Sequence, residues 1–315
     1  MNRPSLRPSI AAVAVAIAVI LAGCGVSAST DSAGLSTGPG KAPTAPADTP
    51  AYLSQAAANT AAATTYKMAM TVTMSGVSGA GDLTVKADGE FDAKSGRAHL
   101  TEDLGSLFGA LGSSSGVSVP KGSSTIEVVL DGKTVYVKSG LLSMLGGGSD
   151  KPWVKLDASA MSGGSSITGG STGTNPTGML EILTTEGDGL KELGRETIRG
   201  VDTRHVGTTI DLSKALADAP PAARKQLQEQ LQSLGGSLDS FVTIPVEAWI
   251  GPDGQVRKFT MTFDFAKAGK DVPELADAKA TIAVELYDLG KPVDIAVPPS
   301  SQVSELDPSS LLGGN

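Results

Sequence analysis

Residues 66–74 read Tyr66-Lys67-Met68-Ala69-Met70-Thr71-Val72-Thr73-Met74. Large apolar side chains occupy every second position, and the positions between them are small or polar. Successive side chains of a β-strand point to opposite faces, so a period of two is typical of a strand that buries one face. This stretch sets the pattern that the rest of the folded region repeats.

The same alternation predicts further strands on the C-terminal side of this stretch. We place them at residues 83–91, 97–101, 126–130, 135–137, 153–157, 190–198, 203–211, 242–250, 259–265 and 282–286. Turn-forming sequences join three pairs of them: Asp131-Gly132, Arg199-Gly200-Val201-Asp202 and Gly251-Pro252-Asp253-Gly254. Strands with such short connections pair antiparallel, which predicts an antiparallel sheet.

The sequence contains fewer helix signals than strand signals. An Ala-rich run at 50–63 follows Thr49, a suitable N-cap, and predicts a helix at the start of the folded region. Further helices are predicted at 178–184, 213–217 and 220–235. Runs of Gly and Ser at 112–118 and 162–174 predict loops.

Two apolar islands interrupt the strands. The first comprises Leu104, Leu107, Phe108 and Leu111, and the second comprises Leu141, Leu142, Met144 and Leu145. Each island is either a short helix that plugs the core or a mobile flap at the rim of a cavity, with the flanking glycines as hinges. Of these two interpretations, the sequence favours the core plug.

The N-terminus carries an export signal that ends at a cysteine. Arg3 and Arg7 precede a wholly apolar run at 10–21, about half of the roughly 20 residues that a membrane-spanning helix needs. Leu21-Ala22-Gly23-Cys24 follows, in the order of a bacterial lipobox. In proteins that share the lipobox, the chain is cut before the cysteine and the thiol is diacylated. We therefore expect residues 1–23 to be a lipoprotein signal peptide and Cys24 to anchor the protein on the extracytoplasmic face of the cell membrane. The alternative is a secreted protein with an incidental cysteine at the cleavage site.

The remaining chain divides by composition. Residues 24–49 are rich in Ser, Thr, Gly, Ala and Pro and lack apolar periodicity, so they cannot bury enough surface to fold. We expect them to form a flexible tether with a root-mean-square length of roughly 25–30 Å. A folded domain is predicted at 50–299, followed by a loose tail at 300–315.

Acidic side chains outnumber basic ones. The chain has 25 Lys and Arg against 33 Asp and Glu, a net charge of −8 that becomes −10 once Arg3 and Arg7 leave with the signal peptide. Such a surface repels phosphate backbones, and the sequence has no Lys/Arg cluster with interleaved aromatic residues, so we expect no nucleic-acid binding. Cys24 is the sole cysteine, so the exported domain depends on its apolar core rather than on disulfides.

Enzyme motifs are weak in this chain. Gly112-Ser113-Ser114-Ser115-Gly116 matches Gly-x-Ser-x-Gly, but it lies in a Ser/Gly run without the tight strand-to-helix turn of a nucleophile. His99 and His205 are the only histidines, and both lie in or beside predicted strands, where surface roles are commoner than catalysis. The sequence has no metal-ligand cluster and no Gly-Lys phosphate loop. We expect no enzymatic activity, no metal and no cofactor.

The order of these features resembles a known family. Three segments carry the likeness: Gly200-Val201-Asp202-Thr203-Arg204-His205-Val206, Pro245-Val246-Glu247-Ala248-Trp249-Ile250-Gly251-Pro252-Asp253-Gly254 and Lys291-Pro292-Val293-Asp294-Ile295-Ala296-Val297-Pro298-Pro299. Together with the lipobox, the linker and the N-terminal helix, they are similar to the actinobacterial LppX/LprG-type lipoproteins. These proteins share the half-barrel of the LolA/LolB lipoprotein carriers, and the likeness covers residues 50–299.

The resemblance implies an α+β fold, in which a strongly curved antiparallel sheet (half-barrel) has helices packed on its concave side around an apolar core or cavity. It implies binding of a lipid or acylated small molecule, with an envelope transport partner for transfer or presentation, and we expect a monomer. The side chains expected to line the cavity are Met68, Met70, Val72, Met74, Leu83, Val85, Phe91, Val246, Phe259, Met261 and Phe263. Leu107, Phe108, Leu141, Leu142 and Met144 would form flaps over it.

A second function stays open at this stage. The stripe of Met and Phe side chains is compatible with a cavity, because Met adapts to varied apolar shapes, but for any one of these residues the sequence favours a position in a solid core. A solid core would favour an envelope sensor or a protein-interaction lipoprotein without lipid cargo.

Overall fold

The structure is a computed structural model, and it describes residues 50–78, 81–115, 123–140, 151–157, 189–211, 243–266 and 276–305. Several sequence predictions lie outside these residues. They are the signal peptide at 1–23, Cys24 and the tether, the island with Leu141, Leu142 and Met144, the loop at 162–174, and the helices at 178–184, 213–217 and 220–235.

The described part of the chain is mostly β-strand with two helices, α1 at Pro50–Ala61 and α2 at Gly105–Ser115. The strands are β1 Thr65–Ser75, β2 Leu83–Asp92, β3 Arg97–Asp103, β4 Thr125–Asp131, β5 Thr134–Ser139, β6 Trp153–Asp157, β7 Lys191–Ile198, β8 Val201–Asp211, β9 Thr243–Ile250, β10 Val256–Asp264, β11 Lys279–Tyr287 and β12 Val303–Glu305. Their hydrogen-bonded order is β12-β6-β5-β4-β3-β2-β1-β11-β10-β9-β8-β7. Neighbours from β2 to β6 and from β7 to β11 pair antiparallel, as the short connections predict.

The structure confirms the predicted alternation, because buried and more exposed side chains alternate along the strands. Along β2, the side chains of Leu83, Val85, Ala87 and Phe91 are buried, and those between them are more exposed. β11 shows the same pattern, with every second residue buried. Period-two apolar patterns therefore locate both the strands and the face that each one buries.

The chain divides into two compact units. We call the first the α1 unit; its described residues include α1, residues 72–78, and β7 to β11. The second, the α2 unit, includes residues 64–71, β2 to β6, α2 and residues 288–305. Residues 65–71 of β1 thus belong to the α2 unit, and residues 72–75 of β1 belong to the α1 unit.

In the α1 unit, a buried threonine fastens α1 to the start of β10. The Val256 N–H donates to Thr60 Oγ1 at 2.8 Å, and this hydroxyl donates to the Ala56 carbonyl at 2.6 Å. Thr60 and Val256 are both 0% exposed, so water cannot replace either hydrogen bond. Tyr52, Leu53 and Ala56 supply the buried apolar face of the helix.

In the α2 unit, polar contacts at its N-terminal end hold α2 in place. Asp103 Oδ1 accepts the Gly105 N–H at 2.8 Å, which satisfies one of the amides that a helix start leaves unpaired. The Ser106 hydroxyl accepts the Thr84 N–H at 3.0 Å and so links α2 to β2. Leu107 is the buried apolar residue of this helix turn.

One turn and one strand end differ from the sequence predictions. The β7–β8 turn consists of Arg199 and Gly200 alone, with φ of 46° and 81°, and β8 begins at Val201. Two consecutive positive φ angles are typical of a type I′ hairpin turn, which matches the twist of the flanking strands. β3 extends to Asp103 rather than ending at residue 101, because β4 pairs with it as far as Thr125.

The loop predicted at 112–118 and the loose tail predicted from residue 300 are wrong in part. α2 continues through Ser115, because extending a helix that has already formed costs less than starting one. Ser300–Gln302 form a 3-10 turn, and Val303–Glu305 then form β12. β12 pairs in parallel with β6, since a segment that returns from a distant part of the chain is free of hairpin geometry.

The C-terminal segment covers an apolar cluster that the alternation does not predict. In the α2 unit, Val129, Trp153 and Ile295 are buried together, and Tyr136, Val293 and Val303 pack against them. Val129 follows Val128 directly and both are buried, so β4 buries both of its faces. The α2 unit therefore has a second small core on the face of β4 opposite Val128.

Candidate functional site

The predicted lining residues of the α2 unit lie on one face of β1 and β2. Met68, Leu83, Val85 and Phe91 are at most 5% exposed. The Phe91 ring stacks on Tyr66 with centroids 4.7 Å apart, and burial raises the pKa of the Tyr66 hydroxyl above its usual range. Met70 continues the same face of β1, yet it is partly exposed.

The predicted lining residues of the α1 unit show the same contrast. Val72, Met74, Val246, Phe259 and Met261 are at most 2% exposed. Phe263 follows Phe259 and Met261 along β10 but is partly exposed. Each unit therefore has an apolar face on which one large predicted lining side chain is accessible.

The first apolar island is a helix rather than an irregular loop. Leu104 precedes α2, and within α2 Leu107 is buried whereas Phe108 is partly exposed. The Phe108 N–H donates to the Leu104 carbonyl at 3.0 Å, so both residues belong to one helical turn. Of the proposed flap residues, Leu107 and Phe108 thus lie on α2, and Leu141, Leu142 and Met144 lie outside the described residues.

A carboxylate lies on the apolar face of the α2 unit, and the sequence predictions do not include it. Glu102 on β3 is paired with Ala87 on β2 and with Ile126 on β4, so the three side chains share one face. Burial raises the pKa of the Glu102 carboxyl. Continuing the alternation of Ala98 and Leu100 by one step would have revealed it, but the predicted strand ended at residue 101.

The two histidines pair with carboxylates inside their own units. His99 Nε2 lies 3.1 Å from Glu127 Oε1, and Lys138 Nζ lies 2.9 Å from the other Glu127 oxygen. Burial acts to raise the pKa of Glu127, but the hydrogen bonds from Lys138 and His99 outweigh it and lower that pKa. These contacts occupy both oxygens of Glu127 in an ion-pair network on a strand surface.

His205 lies in a similar arrangement in the α1 unit. Its Nε2 atom is 2.8 Å from Glu247 Oε2, and its ring stacks on Trp249 with centroids 4.2 Å apart. Trp249 Nε1 donates to Glu196 Oε2 at 2.7 Å, and Lys258 Nζ lies 4.3 Å from the centroid of the indole ring. This cluster fixes the buried Trp249 on the strand surface.

The Gly-x-Ser-x-Gly match does not have the geometry of a nucleophile turn. Gly112 to Ser115 lie in the backbone of α2, not between a strand and a helix. Within the described ranges, His, Cys, Asp and Glu form no group of three that could hold a metal ion. Neither α1 nor α2 is long and apolar enough to span a membrane, and this finding covers only the residues that the structure describes.

Comparison with known proteins gives structural matches alone. No protein-family model and no curated protein matches the chain. Among solved structures, it is similar to LprF from Mycobacterium bovis, with 15% identity and a TM-score of 0.44 over 80% of this chain and 99% of that one. It is also similar to lipoprotein LppX from Mycobacterium tuberculosis, with 15% identity and a TM-score of 0.42 over 78% of this chain and 97% of that one. A LolA superfamily protein from Nitrosomonas europaea matches at 8% identity with a TM-score of 0.28, over 77% of this chain and 94% of that one. These solved structures include proteins of both types named in the sequence resemblance.

Proposed function

We propose that this protein is a membrane-anchored lipoprotein that binds a lipid or acylated small molecule on its apolar sheet face, for transfer or presentation in the cell envelope. One observation carries the proposal. Met70 and Phe263 stay partly exposed on strand faces whose other predicted lining residues are buried. A large apolar side chain that neighbouring side chains do not cover offers contact surface to an apolar ligand.

The energetics of acyl-chain burial fit such a face. Each methylene that leaves water contributes about 0.8 kcal/mol, so affinity arises without a conspicuous polar motif. Methionine suits this role, because its unbranched and polarisable side chain adapts to ligands of different shape. The half-barrel fold, with α1 and α2 on its concave side, is part of the same proposal.

The anchor belongs to the proposal as well. Acylation of Cys24 would hold the protein at the extracytoplasmic face of the membrane, because two acyl chains anchor stably where one binds marginally. The net charge of −10 predicted for the chain after removal of the signal peptide disfavours electrostatic attachment to anionic lipids. Replacing Cys24 by Ser should therefore move the protein from the membrane fraction to the soluble fraction.

The lipid cargo is tested on the purified full chain. Native mass spectrometry should show a population heavier than the protein alone, and organic extraction should release the corresponding lipid. The Cys24→Ser variant is the matched control, since it separates bound lipid from the covalent anchor. A protein that is consistently free of non-covalent lipid would reject the carrier proposal and favour the sensor or interaction module.

A further inference from the structure

Strand pairing places one carboxylate in the middle of an apolar row. Ala87, Glu102 and Ile126 are cross-strand neighbours on β2, β3 and β4. The adjacent row holds Leu100 and Val128, both buried. Side chains directly opposite each other in a sheet lie about 5 Å apart, so apolar groups flank Glu102 on both sides.

Glu102 differs from three carboxylates of the α2 unit that lie on the opposite face. These three have basic partners: Glu90 with Lys67, Glu127 with Lys138, and Asp131 with Arg97. Glu102 has no hydrogen bond or ion pair among the described residues. Its neighbours on β2 and β4 are apolar, and α2, which packs on β2, contains no ionisable side chain. An ionised carboxylate in such surroundings lowers the stability of the protein unless a hydrogen-bond or ion-pair partner compensates for its lost hydration.

We propose that Glu102 is the polar recognition residue of this face and accepts a hydrogen bond from a hydroxyl group of the lipid cargo. This inference rests on the proposed function and specifies its substrate class: a neutral lipid with a hydroxyl next to its acyl chains. The apolar neighbours of Glu102 contact the acyl chains of the lipid, and the Glu102 carboxylate accepts the hydrogen bond from its hydroxyl group. A site built to bond a hydroxyl discriminates strongly against an analogue that lacks it, because its own polar group is then left unpaired. A phosphate at the same position would be repelled by the carboxylate.

The test compares a lipid that has this donor with a derivative in which the donor is blocked. The full chain is incubated in detergent micelles with equal amounts of dioleoylglycerol and its acetylated derivative, in which an ester replaces the hydroxyl. The protein is then captured, and both lipids are quantified by mass spectrometry. A hydrogen bond to a charged group predicts a preference of roughly 10-fold to 100-fold for dioleoylglycerol.

Variants separate recognition from folding. Glu102→Leu should bring the ratio close to one, and Glu102→Gln, which keeps an acceptor oxygen, should give an intermediate ratio. Asp88→Asn is the matched control, because Asp88 is exposed and follows Ala87 on the opposite face of β2. The control should retain the preference of the wild type.

The outcomes distinguish this inference from the proposed function. If the wild-type protein retains both lipids at a ratio near one, the role of Glu102 is wrong while lipid binding stands. If the wild-type protein retains neither probe but carries another lipid in native mass spectrometry, the role of Glu102 is wrong while lipid binding stands; if it carries no lipid in either experiment, both proposals fail. A preference that persists unchanged in Glu102→Gln and Glu102→Leu would also overturn the role of Glu102. If Glu102→Leu does not fold, the Glu102→Gln variant decides: a ratio equal to that of the wild type overturns the role, and a reduced ratio supports it.

Discussion

Replacing Met70 by Ala, in parallel with the same replacement at Met68, tests whether Met70 lines a binding surface. The two residues lie on the same face of β1, two positions apart, and differ in burial: Met68 is 2% exposed and Met70 is partly exposed. Truncation of a fully buried Met to Ala removes its burial energy and leaves a cavity, at a cost of about 2–5 kcal/mol. An accessible Met loses only part of its burial energy, so Met70→Ala should cost about 1 kcal/mol.

Urea unfolding of the full chain measures both costs, and lipid retention after purification is measured on the same samples. Met68→Ala should lower the unfolding midpoint clearly, whereas Met70→Ala should lower it slightly and reduce the retained lipid. Met70→Asp should abolish lipid retention in a protein that stays folded. Equal destabilisation by the two Ala variants would mean that Met70 is core, and unchanged lipid content in Met70→Asp would remove it from the binding surface.

Three further substitutions test individual contacts within the two units. Thr60→Val should destabilise the protein by about 1–3 kcal/mol in urea unfolding, because it leaves the buried Val256 N–H without an acceptor; a neutral effect would mean that α1 is not fastened there. Burial raises the pKa of Glu102 above its ordinary value of 4.5, so the folded state loses stability as the pH rises and this carboxyl ionises. Glu102→Gln should therefore gain thermal stability relative to wild type as the pH rises above 4.5, and a difference that does not change with pH would place the carboxyl in water. Ile295→Ala should cost about 2–4 kcal/mol, because Ile295 packs on Trp153, and a cost below about 0.5 kcal/mol would mean that the closing segment does not cover β6.

The strands and their buried faces could be predicted because the deciding information is local. In 66–74 and 83–91, each apolar side chain is two positions from the next, and the structure buries these positions with Met70 as the exception. The hairpin at 251–254 is local for the same reason, since its Gly254 has a φ of 74° that favours glycine. Local patterns report which face of a strand is apolar, and they do not report how completely it is covered.

The rest depends on contacts between distant parts of the chain. Trp153 and Ile295 are packed together although 142 positions separate them, and no periodicity in either segment indicates the partner. Thr60 has the same property, because a single threonine in an Ala-rich helix gives no sign that it accepts the Val256 N–H. The position of Glu102 on the apolar face is predictable from the sequence, since it continues the alternation of Ala98 and Leu100. The predicted strand ends at residue 101, two residues before the end of β3, so it does not include Glu102.

In the proposed function, acyl-chain burial cannot by itself determine which lipid the protein takes from a membrane. The hydrophobic effect drives chains out of water, but a lipid in the bilayer has already lost its contact with water, so moving its chains to an apolar protein face changes the free energy little. In the proposed function, the apolar face therefore lowers the barrier to transfer and leaves both selection and direction to polar contacts or to a partner. Glu102 is an ionisable group on that face within the described part of the α2 unit, and its unpaired carboxyl is suited to selection. If Cys24 is anchored as proposed, the tether of roughly 25–30 Å predicted for 24–49 would limit the reach of the domain to that membrane, and delivery to a distant acceptor would require an envelope partner.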